Sequence, residues 1–167
     1  MLKNLFTLTA AALLFAGCVS YKLGSNVPEN CREIAVPIFE NASGLPEVGS
    51  FATQAILAEM LRDGTFTPCS LDSAKVKLLG KVTRAEWIPI RYDRNVSLQT
   101  SEYRLELTAE ITLVEKSTGK LLLDRVPVTA DTTFLSRNDL QTGMHDAMPR
   151  ASAQLAKTVV AMLNNAW

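Results

Sequence analysis

One histidine, His145, and three cysteines, Cys18, Cys31 and Cys69, are the only imidazole and thiol metal ligands among 167 residues. That supply cannot assemble a metal cluster of known spacing, and no cofactor is expected. No Gly-x-Ser-x-Gly elbow occurs to make His145 the base of a triad. Ser117 to Lys120 satisfies Ser-x-x-Lys, but on a strand-to-strand turn rather than at a helix start, so chance accounts for it. Catalysis is therefore the least supported class, and the chain is not expected to be an enzyme. An excess of one charge is missing too: 17 Lys plus Arg stand against 17 Asp plus Glu. Such a balance carries no global nucleic-acid signature, so any anion binding must come from a local cluster. Long apolar runs are also absent. Leu5 to Leu14, interrupted by Thr7 and Thr9, spans about 10 residues, half of the ~20 a membrane-crossing helix needs.

What is present begins with that short segment. Lys3 precedes it, and it ends in Leu13-Leu14-Phe15-Ala16-Gly17-Cys18, two small residues before a cysteine. The arrangement resembles the lipobox of bacterial lipoproteins, with Phe15 where such motifs most often carry Leu. The resemblance implies a signal peptide over residues 1–17, cleavage before Cys18, and acyl chains, palmitate among them, on its thiol and amine. Several chains together hold a protein on a membrane almost permanently. Val19 is not Asp, which by similarity to enterobacterial lipoproteins implies the outer membrane, facing the periplasm. Residues 18–30 carry no hydrophobic period and read as a lipidated tether. Residues 31–167 are enough for one domain with a substantial core.

Lipidation of Cys18 leaves Cys31 and Cys69. In an oxidising periplasm an even remainder invites a disulfide, against the alternative of two buried thiols. Cys31 precedes the first expected strand and Cys69 follows the helix returning to that strand's start, which supports the pairing. The strand is Ile34-Ala35-Val36-Pro37-Ile38-Phe39, at an edge or with the Pro37 nitrogen outward, followed by the turn-forming Asn41-Ala42-Ser43-Gly44. Asn41-Ala42-Ser43 is also a formal glycosylation sequon, irrelevant in a bacterial protein.

From Pro46 or Glu47 to Arg62 the period is helical, with Val48, Phe51, Ala52, Ala55, Ile56 and Glu59 on one side and Asp63-Gly64 as the stop. Two-residue alternation then places Ala74, Val76, Leu78, Gly80 and Val82 on one face of a strand that frays at Trp87-Ile88-Pro89-Ile90. A second alternating strand carries Tyr103, Leu105, Leu107, Ala109, Ile111 and Leu113 inward and Arg104, Glu106, Thr108, Glu110 and Thr112 outward. Ser117-Thr118-Gly119-Lys120 turns into a strand from Leu121 to Phe134, with a bulge expected where Pro127 interrupts it. Leu140, Met144, Ala147, Met148, Ala151, Leu155 and Val159 return to helical spacing. Pro149 predicts that the regular helix starts near Ala147, after a separate turn. The order strand, helix, three strands, helix predicts an α+β two-layer sandwich, a four-stranded sheet with both helices on one face and a polar outer face free for a partner.

The tether Cys18-Val19-Ser20-Tyr21-Lys22-Leu23, the run Ile34 to Asn41 and this element order resemble the LPS-assembly lipoprotein family, LptE. Arg91-Tyr92-Asp93-Arg94, Glu102-Tyr103-Arg104-Leu105 and Asp131-Thr132-Thr133-Phe134 are similar to segments of its members outside the enterobacteria. The resemblance implies a plug inside the LptD-type outer-membrane β-barrel that helps lipopolysaccharide reach the outer leaflet, with the barrel, lipopolysaccharide and the membrane as partners and no nucleic acid. Lys81, Arg84, Arg91, Arg94 and Arg104 are the candidate lipopolysaccharide-binding residues, expected to converge near one end of the sheet, because guanidinium pairs bidentately with phosphate. The alternative is a solvated loop whose arginines pair with Asp93, Glu86 and Glu102. The competing role is a regulatory cell-envelope lipoprotein that binds a peptidoglycan synthase or a secretion channel, since such proteins share the opening strand and Asn-x-Ser-Gly turn.

Overall fold

A computed structural model describes residues 27–92, 100–135 and 139–167. After a 3-10 turn at Glu29–Cys31 come β1 (Glu33–Ala35), β2 (Glu40–Asn41), α1 (Val48–Asp63), β3 (Thr67–Pro68), β4 (Val76–Tyr92), β5 (Thr100–Glu115), β6 (Leu121–Leu135) and α2 (Leu140–Asn164). The class is α+β as expected, but the sheet has six strands rather than four. Its order is β3-β1-β4-β5-β6, with β2 also paired to β4. β1, β2 and β3 run parallel to their neighbours, while β4, β5 and β6 form an antiparallel meander. Parallel pairing needs a crossover. α1 supplies it between β1 and β3.

The strand expected over Ile34 to Phe39 is split in two. Ala35 pairs with Lys77 and Glu40 with Lys81, so the first chain spends one more residue than β4 between the two pairs. The surplus is taken up around Pro37, which cannot donate to a ladder, and Ile38 projects outward, 75% exposed. Phe39 then turns back and is clamped. Its backbone N–H donates to Thr53 Oγ1 (2.9 Å), and the Thr53 hydroxyl donates to the Gly49 carbonyl (2.8 Å). A Cβ on Gly49 would lie 2.3 Å from the Phe39 carbonyl oxygen, and one on Gly80 2.0 Å from the Phe39 ring. Val48, Gly49, Ala52, Thr53, Ile56 and Met60 form the buried stripe of α1. Phe51, Ala55 and Glu59, expected on that stripe, are only half-buried. The glycine-and-threonine contact with Phe39 rotates the helix away from the purely apolar reading. Gly64, at φ 76°, ends the helix in the left-handed conformation, its N–H donating to the Met60 carbonyl.

β4 does not fray at Trp87 but continues to Tyr92, because β5 pairs with it throughout. A bulge between Val82 and Arg84 makes Thr83 a surplus residue and shifts the inward positions to Ala85. Leu105, Leu107, Ala109, Ile111 and Leu113 of β5 are completely buried, as the alternation requires. β6 carries the expected bulge: Ile111 pairs with Val126 and Leu113 with Leu123, so three steps oppose two, and Arg125 adopts φ 45° there. Pro127 is tolerated because β6 is an edge strand.

α2 corrects the expectation at Pro149: one helix runs from Leu140 to Asn164 through the proline. The Asp139 carboxylate accepts from the Thr142 hydroxyl and from the Thr142 and Gln141 backbone N–H groups, and these bonds hold its pKa below the ordinary carboxylate value. The cap secures the first turn. The missing Pro149 N–H leaves only the carbonyl of exposed His145 without its helical donor, within reach of water. Ala147, Met148, Ala151, Leu155, Ala156, Val159, Val160 and Leu163 then pack into the one core shared with the sheet and α1.

The disulfide is also corrected, since Cys31 and Cys69 are both free thiols. Ile34 pairs with Pro68, so Cys69 lies one step past that pair and Cys31 three steps before it. Cys31 closes the 3-10 turn before β1 rather than lying in the strand, so the two are about four residues out of step. Burial, with the Glu115 carboxylate second, pushes the Cys31 thiol above its usual value.

Two outcomes follow. Thiol titration of the chain in denaturant without reductant will find both Cys31 and Cys69 reactive; a gain of two thiols on adding reductant would contradict the register. Gly80→Ala will lower unfolding free energy by about 1–3 kcal/mol through overpacking against Phe39, and Phe39→Leu in the same chain will recover part of that loss in denaturant titration.

Candidate functional site

The face of β4, β5 and β6 turned away from the helices is uncovered, and alternation sets its composition. Rows run across the strands: Glu40, Lys81 and Glu110; then Arg84, Thr108 and Thr129; then Glu86, Glu106 and Asp131; then Ile88, Arg104 and Thr133. Neighbouring members are about 4.8 Å apart in the strand-pairing direction. The result is a wet, polar wall.

The candidate cations do not gather at one end. Lys81 and Arg91 are ten residues apart on one strand, roughly 33 Å. Each has a carboxylate partner instead: Lys81 with Glu40 (2.7 Å), Arg84 with Glu86 (3.6 Å), Arg91 with Glu102 (3.3 Å) and Arg104 with Asp131 (3.6 Å). The hydrogen bond and charge of Glu40 raise the Lys81 ammonium above its ordinary value. Of the candidates among the described residues, Arg91 and Arg104 share the distal end of the sheet, with Arg91 opposite Glu102 and Arg104 two residues further along β5. Arg94 and Cys18 lie outside the described residues. Glu86 and Glu102 pair as the solvated-loop alternative requires; Asp93 also lies outside the described residues.

Hydropathy patterning did not reveal what happens to distal β4. β1 and β2 pair with β4 only as far as Val82, and from Glu86 onward every residue of β4 is exposed. Trp87, opposite core residue Leu105, is 39% exposed, and Ile88, opposite Arg104, is 42% exposed. The sequence signal for this region is the apolar run at Trp87 to Ile90, where a fraying end is expected. Beside Trp87 a groove of about 570 Å³ is lined by Leu45, Pro46, Leu140, Met144 and His145, among others.

His145 is exposed, its ring edge-on to Phe51 (6.1 Å) and its Nδ1 3.9 Å from Asp146. Among the described residues no group of three or more His, Cys, Asp or Glu converges as a metal site. No described helix is long and apolar enough to cross a membrane. Ser117 to Lys120 is the β5–β6 turn, with Gly119 at φ 69°. Asn41 braces the loop before α1 by accepting from the Ser43 N–H and donating to the Leu45 carbonyl.

No curated protein matches the chain in sequence. A family model described as "LptE: Lipopolysaccharide-assembly" matches residues 31–163. Among solved structures, the chain is similar to protein XCC0632 from Xanthomonas campestris, with TM-score 0.56 and 13% identity over 80% of this chain and 84% of that one. It is similar to a minor lipoprotein from Acinetobacter baumannii, with TM-score 0.52 and 12% identity over 81% and 94%. A putative lipoprotein from Caulobacter crescentus gives TM-score 0.50 and 17% identity over 76% and 88%. At these identities the likeness shows the fold alone.

The row of Glu86, Glu106 and Asp131 sets like charges side by side, which is unfavourable in a sheet. Its outer members are paired with Arg84 and Arg104, and Glu106 stands between them. Glu106→Gln will raise the unfolding free energy by about 0.2–1 kcal/mol at low salt, with the gain shrinking as salt rises. Unchanged or lower stability in denaturant titration would show that the row is not strained.

Proposed function

The chain belongs to the LptE lipopolysaccharide-assembly family, and we propose that it serves there as an outer-membrane lipoprotein seated inside an LptD-type β-barrel, assisting lipopolysaccharide to the outer leaflet. The family role is non-enzymatic. The observation that carries the seat inside a barrel is the uncovered face of β4, β5 and β6, whose Thr rows and paired charges suit a wall that is polar and wet on its inner side. Docking there calls for many modest polar contacts rather than one apolar patch.

In this reading Cys18 is acylated and tethers the domain. Val27 is buried in the core, and Cys31 feels Glu115, so the chain enters the domain at the end of the sheet where β4 begins. Nine residue steps from Cys18 to Val27 reach at most about 30 Å. Lipopolysaccharide phosphates meet Arg91 and Arg104 at the far end, with Lys81 and Arg84 further down the wall. Exposed ion pairs contribute little, so phosphates can displace Glu102 and Asp131 from guanidiniums that are 73% and 47% exposed. The regulatory reading, with a peptidoglycan synthase or secretion channel as partner, shares the β1 to Gly44 opening but has no support from the family match.

Affinity purification of the acylated chain from detergent-solubilised outer membranes will recover a large β-barrel protein in near-equal amount. Recovery of a synthase or of a ring of this chain alone, without a barrel, would overturn the proposal.

A further inference from the structure

Distal β4 is apolar on both of its faces. Trp87 belongs to the core side and Ile88 to the outer side, and Ile90 and Tyr92 extend the strand at 40% and 54% exposure. A flat protein patch covers one face of a strand. A flexible hydrocarbon chain can follow the surface around an open strand edge, and distal β4 is such an edge because β1 and β2 end their pairing at Val82. The groove beside Trp87 continues this apolar surface over Leu45, Pro46, Leu140 and Met144. The backbone donors at the start of α2 do not make the groove an anion site, since Asp139 already accepts from Gln141 and Thr142. Guanidinium groups flank the apolar strip instead: Arg104 pairs across from Ile88, and Arg91 follows Ile90.

Apolar surface bordered by exposed cations is complementary to an amphiphile with a phosphorylated headgroup. We propose that the Trp87 groove and the distal end of β4 bind an acyl chain of the transported glycolipid, with its phosphates toward Arg91 and Arg104. The inference rests on the barrel reading above. Length selects the glycolipid over inner-leaflet phospholipid. Trp87 stands eleven residue steps beyond Val76, roughly 36 Å along β4, against about 30 Å for the hydrocarbon core of a bilayer. A domain that is tethered at the inner leaflet and enters the barrel upright carries Trp87 to the level of the outer leaflet.

The test uses the full acylated chain in its native envelope, with p-benzoylphenylalanine placed singly at Ile88, at Met144 and at Leu61, which is 71% exposed near the opposite end. After irradiation, adducts are identified by mass. Glycolipid adducts are expected at positions 88 and 144 at about tenfold the yield at 61, and Met144→Asp should cut the yield at 88 about tenfold, the effect of a buried carboxylate on apolar binding. Glycerophospholipid adducts, barrel-protein adducts or none at both positions overturn the inference. The same purified material is scored for the barrel: barrel without glycolipid adduct removes the acyl-chain site alone, and absence of the barrel removes the reading beneath it.

Discussion

Phe39 is held on three sides, and the rest of the domain takes its position from that clamp. Thr53 of α1 receives its N–H, Gly49 of α1 leaves room for its carbonyl, and Gly80 of β4 leaves room for its ring. One residue thus fixes the height and rotation of α1 above the sheet and the point where β2 joins β4. Neither glycine is there for backbone freedom; each leaves a space that any Cβ would fill. The surplus residue around Pro37 is the compensation: the chain must loop outward to bring Phe39 back at the right register, and Ile38 is exposed as a consequence.

The clamp also divides the sheet into two regions with different physics. On the proximal side, β1 and β2 pair with β4 and α1 packs against it, and burial is complete at Val76, Leu78 and Val82. Beyond Thr83 the flanking strands are gone, the bulge turns the ladder, and among the described residues β4 runs on paired with β5 alone. Length is what this distal region contributes, and on β4 it carries side chains that a buried strand would have hidden. The outer face spans both regions, so a single partner lining that face can hold the domain along much of its length.

Charge on that face is arranged as pairs spread along the strands rather than as a cluster. Four candidate cations each meet a carboxylate within 3.6 Å, which keeps the wall close to neutral rather than giving it a strong field of one sign. In the proposed reading, phosphate recognition is a local exchange of partners at Arg91 and Arg104, set beside the apolar strip.

Much of this was legible in the residues because alternation and helical spacing report burial directly: β5, the α1 stop at Gly64, the Ser117 to Lys120 turn, the bulge in β6 and the resemblance that the family match confirms all follow from local pattern. The rest depends on residues distant in sequence. Splitting the first strand needed the register against β4, the continuity of α2 through Pro149 needed the Asp139 cap and a core to pack on, and Thr53 entered the buried face only because Phe39 supplied a donor. The cysteines and arginines show the same division, since residue type says what chemistry a side chain can do, while strand register decides how far apart two of them stand. Sequence alone therefore determined β5, the stop of α1, the turn into β6, the polar outer face and the family. Tertiary structure decided the six-strand order, the separation of Cys31 from Cys69 and the spread of the cations, because those are distances set by pairing between strands.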